Sequence, residues 1–194
     1  MLGRMSTKPR KPFAFFAGHP ALDLPATLTG RLKPLQRELL EQPEDLGSWF
    51  VKAGLAAATP SIGPADLALA RDLRESIYAT ALARIGARVL PARDLGVLNR
   101  IAAGKGAVLR LDTRGHVHTS ATARALLVDL ARDAIRLLGD RAAARVRQCE
   151  GELCARLFID TSKTGDRRWC SMSGCGNKAK VAQFRRRQRD AARS

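Results

Sequence analysis

The feature that most restricts how this chain can fold is a quartet of cysteines, Cys149, Cys154, Cys170 and Cys175, confined to the last 46 residues. They form two C-x4-C pairs separated by fifteen residues, and none of the preceding 148 residues is a cysteine. Four thiolates delivered as two pairs suit tetrahedral zinc, the usual ligand set of a structural site. Two disulfides and an iron–sulfur cluster use the same residues. The first suits an oxidising compartment, and the second is an alternative for any four-cysteine set. Structural zinc, one ion held by all four sulfurs, is the favoured reading. A catalytic zinc is disfavoured because four protein thiolates leave no open coordination position.

The sequence around the cysteines explains why a metal would be needed. Leu153, Leu157, Phe158 and Trp169 give such a small unit an apolar nucleus too small to fold unaided, so metal binding would supply much of its folding free energy. Gly176-Asn177 reads as a tight turn and helix cap. The following run, Lys178 to Arg189, reads as a helix with Val181, Phe184 and Gln188 on one side and bases over much of the rest.

Charge sharpens this picture. The 194-residue chain carries 34 Lys and Arg against 18 Asp and Glu, a formal net charge of +16. Residues 141–194 hold 14 of the bases and only 5 of the acids, whereas the other 140 residues hold 20 and 13. Such an excess favours a polyanionic partner. Arg167, Arg168, Lys178, Lys180, Arg185, Arg186, Arg187 and Arg189 are the candidate nucleic-acid contacts, mostly to phosphates, with arginine also able to fork onto guanine edges.

Upstream, hydrophobic period predicts a mainly helical α+β domain over residues 13–140, behind a flexible basic lead-in at 1–12. Phe13 to Gly18 reads as a strand or buried extended piece, after which Pro25 and Gly30 limit regular structure. A helix starts at Pro43, with Glu44 and Asp45 in its first turn, Leu46, Trp49, Phe50 and Ala53 at helical spacing, and Gly54 as its stop. A second starts near Pro64, with Leu69, Leu73, Ile77, Ala81 and Ile85 on its stripe and Gly86 at its end. A third runs from about Ala92 to Ala102. Val108 to Leu111 and His116 to His118 flank Asp112-Thr113-Arg114-Gly115 as a β-hairpin. A fourth helix spans roughly Thr122 to Leu138, with Gly139 at its end. The C-terminal part, 145–190, is expected to be a treble-clef-like or similar four-cysteine zinc module ending in a basic helix.

These residues also carry a resemblance. The stretch Cys149-x4-Cys154-x2-Leu157-Phe158-x-Asp160-x-Ser162-Lys163, with Arg167-Arg168-Trp169-Cys170-Ser171-Met172 and Cys175-Gly176-Asn177-Lys178, resembles the CGNR zinc-finger family. Lys178 stands where the name motif has Arg, which keeps the charge and loses the planar fork. Gly18-His19-Pro20-Ala21-Leu22-Asp23-Leu24 with Thr27-Leu28, and Pro43-Glu44-Asp45-Leu46 with Trp49, resemble the ABATE domain found ahead of that finger in bacterial proteins. Pro25-Ala26 replaces the Asn that family often places before the Thr. The resemblance implies a stress-associated transcription regulator, with the finger as DNA reader and the N-terminal domain as a sensing or dimerisation unit.

The expected activity is therefore DNA binding, with an RNA-binding or ribosome-associated module as the alternative. Aromatic residues are only 5%. Single-strand recognition relies on exposed stacking rings, so their scarcity favours duplex DNA. An enzyme is not expected: His19, His116 and His118 are the only histidines, and no nucleophile–base pair, phosphate loop or metalloprotease motif is present. No membrane partner is expected, since no apolar run approaches 18 residues. A homodimer and a small-molecule ligand of the N-terminal domain are further expectations. With no secretory signal at the N-terminus, and Met1 and Met5 both candidate starts, the expected compartment is the cytoplasm, at the nucleoid when DNA-bound.

Overall fold

The computed structural model of the chain describes residues 12–139 and 141–191; apart from Pro12, the lead-in over 1–12 lies outside them. The chain first turns at Gly18, whose φ of +78° is a conformation that glycine tolerates best. His19 then caps a one-turn helix α1 (Pro20–Asp23), its Nδ1 accepting from Ala21 N–H at 3.2 Å, and Pro20 occupies the first helical position. Asp23 reaches back, accepting from Ala17 N–H at 3.0 Å, so this apolar motif is stitched together by its two polar residues. Burial pushes the Asp23 carboxyl up to about 6, against the pull of the Ala17 and Phe16 N–H groups and Arg156. The segment before it is irregular and forms no strand, with Phe16 half exposed; Ile159 N–H bonds Ala17 O at 2.8 Å.

A 3-10 turn, Leu24–Thr27, leads to a two-residue antiparallel pair, β1 (Leu28–Thr29) and β2 (Arg37–Glu38). Helix α2 (Pro43–Lys52) begins where Asp45 accepts from Glu41 and Gln42 N–H, and buries Leu46, Trp49 and Phe50. Helix α3 (Pro64–Ile85) starts the same way, with Asp66 accepting from Gly63 N–H at 3.0 Å. Its buried face holds Leu67, Ala70, Leu73, Ile77 and Ala81, while Ile85 is exposed. A strict four-residue row slips around the helix by about 40° per step, which carries the expected stripe off the core at its ends.

Helices α4 (Ala92–Ala102) and α5 (Ala123–Gly139) pack against α3 and each other, making a three-helix core flanked by α1 and α2. Between them stands the expected hairpin, β3 (Val108–Leu111) and β4 (Val117–Ser120), turning at Gly115 with φ +81°. Arg74 lies inside the core's edge at 4% exposure, forked onto Glu38 at 2.6 and 2.7 Å and bonded to Glu75 at 2.8 Å. Arg31 bonds the same Glu75, so the β1–β2 loop, β2 and α3 are joined by charge. The mainly helical α+β architecture expected from the sequence is the one observed. Among the described residues no helix is long and apolar enough to cross a membrane.

After a 3-10 turn at 141–145 comes the ribbon β5 (Val146–Gln148) and β6 (Leu157–Ile159), paired as Val146↔Ile159 and Gln148↔Leu157. Because side chains alternate along a strand, the ribbon has two buried faces. Val146 and Leu157 enter the helical core, Ile159 packs against it, and Gln148 Nε2 lies 3.4 Å from Tyr78 Oη on α3. Phe158 points the other way, into the cysteine cluster. Leu157 therefore belongs to the helical core and not to the finger's nucleus, and Leu153 is half exposed.

Candidate metal centre and nucleic-acid surface

The β5–β6 turn supplies the first two cysteines. Cys149 N–H bonds Arg156 O at 2.8 Å and Cys154 N–H bonds Gly151 O at 2.9 Å, which curls the turn so that both sulfurs face one point. Leu153 takes the left-handed conformation, φ +58°, to complete the curl. Gly151 leaves room for the second pair: a Cβ there would sit 3.0 Å from Cys175 Sγ. Cys170 closes the site from the following loop, and its N–H points to Cys149 Sγ at 3.3 Å, as does that of Gly151 at 3.4 Å.

Cys175 comes from the start of the final helix. Ser171 caps a π-turn, Met172–Gly176, by accepting from Gly174 N–H at 2.9 Å, and the turn runs directly into α6 (Asn177–Ala191). Asn177 is helical, with φ −63° and ψ −41°. The cap expected at Gly176-Asn177 is thus five to six residues earlier, at Ser171, and the helix is continuous with the cysteine that anchors it. Two sulfurs from a ribbon turn, one from a loop and one from a helix start make a treble-clef-type arrangement.

All four Sγ atoms lie within 4.8 Å of one another, with Cys154–Cys170 at 4.0 Å and Cys170–Cys175 at 3.8 Å. Tetrahedral zinc with Zn–S bonds of about 2.3 Å requires sulfurs about 3.8 Å apart, so the cage has the right size. Its electrostatics demand a cation as well. The Cys154 thiol is pulled down to about 5, chiefly by hydrogen bonding from Cys170, whereas Cys170 is pushed far up by its contact with Cys154 and Cys175 up to about 11 by burial. One thiolate suppresses the ionisation of its neighbours, and a divalent ion is what lets all four ionise together. The quartet is a single structural zinc site.

Beneath the site the loop is braced by residues of the sequence motif. Asp160, buried, accepts from Ser162 N–H and hydroxyl at 2.9 and 2.6 Å and from Arg167 N–H at 2.9 Å; the Ser162 hydroxyl foremost holds its carboxyl below the usual range. Arg167 bonds Trp169 O at 2.9 Å and Cys170 O, and its guanidinium lies 4.6 Å from the Phe158 ring centroid. Arg168 pairs with Glu150 at 2.6 Å and stacks on Trp169.

The remaining six expected contacts, Lys178, Lys180, Arg185, Arg186, Arg187 and Arg189, are all exposed on α6, which buries none of its residues. At spacings of seven and four, Lys178, Arg185 and Arg189 share one face. Lys180 and Arg187 fall on the opposite one. Lys178 and Ala182 also line a cleft of about 750 Å³ whose lining includes Lys33 of the β1–β2 loop and Arg37 of β2. Nothing in the sequence marks those two bases, because only the folded β1–β2 hairpin brings them to the helix.

A helical domain sharing one core with a treble-clef zinc ribbon defines a zinc-finger protein with a helical partner domain. Family models place it further: residues 18–141 match the ABATE model, described as "Putative stress-induced transcription regulator", and residues 145–188 match the CGNR zinc finger. The first match covers well over half of the chain, and the protein belongs to the ABATE family. No curated protein matches it significantly.

Proposed function

We propose that this protein is a non-enzymatic regulator that binds duplex DNA through α6, with the zinc site fixing the direction in which that helix projects. One observation carries the reading. A helix of fifteen residues, about 22 Å long, stands free of the core, carries six cations, and starts two residues beyond a zinc ligand. A merely solubilising tail would not need a metal-anchored origin. A B-DNA major groove admits a helix of this kind, and phosphates flank it on both sides.

The reading assigns different work to the basic residues. Lys178, Arg185 and Arg189, the first of them lining the same cleft as Lys33 and Arg37, form the principal phosphate track. Arg167 acts as a brace of the finger, since its Nε and one terminal nitrogen are engaged by the finger's own carbonyls. Changing Lys178, Arg185 and Arg189 together to Ala should lower the slope of log K against log salt by about 2.7, at roughly 0.9 per phosphate contact. The Lys180, Arg187 double variant should lower it by less. An unchanged slope in the triple variant refutes the assignment. Tighter binding of RNA than of duplex DNA at the same salt would move the function to the RNA-binding alternative.

A further inference from the structure

We propose that the helical domain binds a small organic anion with an apolar body in the half-open cavity bordered by α3, α4, α5 and the base of the hairpin. The cavity has a volume of about 620 Å³, within the range of about 300–1,000 Å³ typical of small-molecule sites. Its floor is apolar, formed by Leu69, Ile101, Ala125 and Val128. Its rim carries Arg100, Lys105 and Arg124 and no acidic residue. Arg100 and Lys105 make no ion pair among the described residues, and Arg124 only approaches Asp66 at 3.9 Å. Three cations over an apolar floor call for a carboxylate or phosphate joined to a hydrocarbon or ring.

The rim is also held in place before any ligand arrives. Lys105 sits at the apex of the Gly104-Lys105-Gly106 loop, which is clamped to α5. Asp129 accepts from Ala107 N–H at 2.9 Å, and Arg132 donates to Ala102 O and Gly104 O at 2.9 and 2.8 Å. The clamp is close enough to exclude side chains: a Cβ at Gly104 would meet Val128 Cγ2 at 2.8 Å, and one at Gly106 would meet Asp129 Oδ1 at 2.3 Å. A loop fixed this way presents its lysine without a backbone-ordering cost on binding. The site shares no residue with the zinc cage or with α6.

The test uses the zinc-loaded full chain and calorimetric titration with three probes: decanoate, inorganic phosphate and decyltrimethylammonium. Decanoate should bind saturably at one per chain, and the other two should not bind at concentrations up to about 1 mM, a threshold set by useful affinity. R100Q/K105Q, two exposed positions, should weaken decanoate by about tenfold or more, the worth of a lost charge-assisted contact. A121F, which fills the cavity wall, should abolish binding, whereas the Lys178, Arg185, Arg189 triple variant should bind decanoate normally. Absence of saturable decanoate binding overturns the proposal. So does affinity unchanged in R100Q/K105Q, equal binding of the cationic probe, or loss of binding in the helix variant. DNA affinity measured on the same R100Q/K105Q sample keeps the two readings apart: a fall there without decanoate binding in the parent would place these cations in the nucleic-acid surface instead.

Discussion

Replacing Arg167 with Ala separates bracing of the finger from contact with DNA. Its side chain makes two hydrogen bonds to backbone carbonyls, on Trp169 and on the zinc ligand Cys170, and lies over Phe158. Each hydrogen bond contributes about 1 kcal/mol net, and a partly exposed cation–π contact about 0.5–1 kcal/mol. Removing all three should destabilise the metal-bound finger by about 2–3 kcal/mol, which converts to zinc retention weaker by roughly 30- to 150-fold. Competition with a chromophoric chelator reads that loss directly. At saturating zinc the variant should bind duplex DNA with the parent's salt slope, because no phosphate contact is removed. Unchanged zinc affinity together with a slope lowered by about 0.9 would show that Arg167 touches DNA and that its carbonyl bonds do not matter.

Three further outcomes follow from the fold. Asp23 has its pKa raised by burial to about 6 from 3.8; a raised carboxylate favours the folded state below the unfolded value, and that advantage disappears as pH rises through about 6. The loss is on the order of 3 kcal/mol, so Asp23→Asn should flatten this part of the urea-unfolding profile between pH 4 and 7; an identical profile in the variant contradicts the assignment. Arg74→Ala removes the closest cation from Glu38, leaving Arg71 at 3.8 Å, and should cost about 3 kcal/mol, read as a lowered urea midpoint; a midpoint within error of the parent contradicts it. Gly106→Ala drives a methyl into the Asp129–Arg132 clamp and should destabilise the chain by about 1–3 kcal/mol, which thermal unfolding will show, a stabilised variant being the contrary result.

Where the chain wrote its structure in periodic signals, the sequence was readable. Helices α2 to α5 carry apolar repeats with a proline, acid or glycine at their ends, and the β3–β4 turn ends on a glycine that has to adopt positive φ. The four cysteines announced their site because spacing and composition both isolate them. What escaped was set by distant partners. Elements of two to four residues, such as α1, β1 and β2, have too little local signal and are held by Asp23 and by the Glu38–Arg74–Glu75–Arg31 network. Arg74 reads as a surface residue until its two acids are seen beside it. The ribbon's alternation gave Leu157 and Phe158 to different cores, a division visible only once α3 lies beneath one face. Arg167 and the α6 bases look alike in sequence, yet one turns inward to carbonyls and the others face solvent.

The claim on which the rest depends is that zinc in the Cys149, Cys154, Cys170 and Cys175 cage holds α6 in a DNA-binding pose. Its most direct test follows zinc content and duplex affinity in a single sample as a chelator is added and zinc is then restored. One zinc per chain at the start, affinity lost in proportion to the metal and recovered on its return, is the expected result. Full duplex affinity in protein stripped of metal would contradict it.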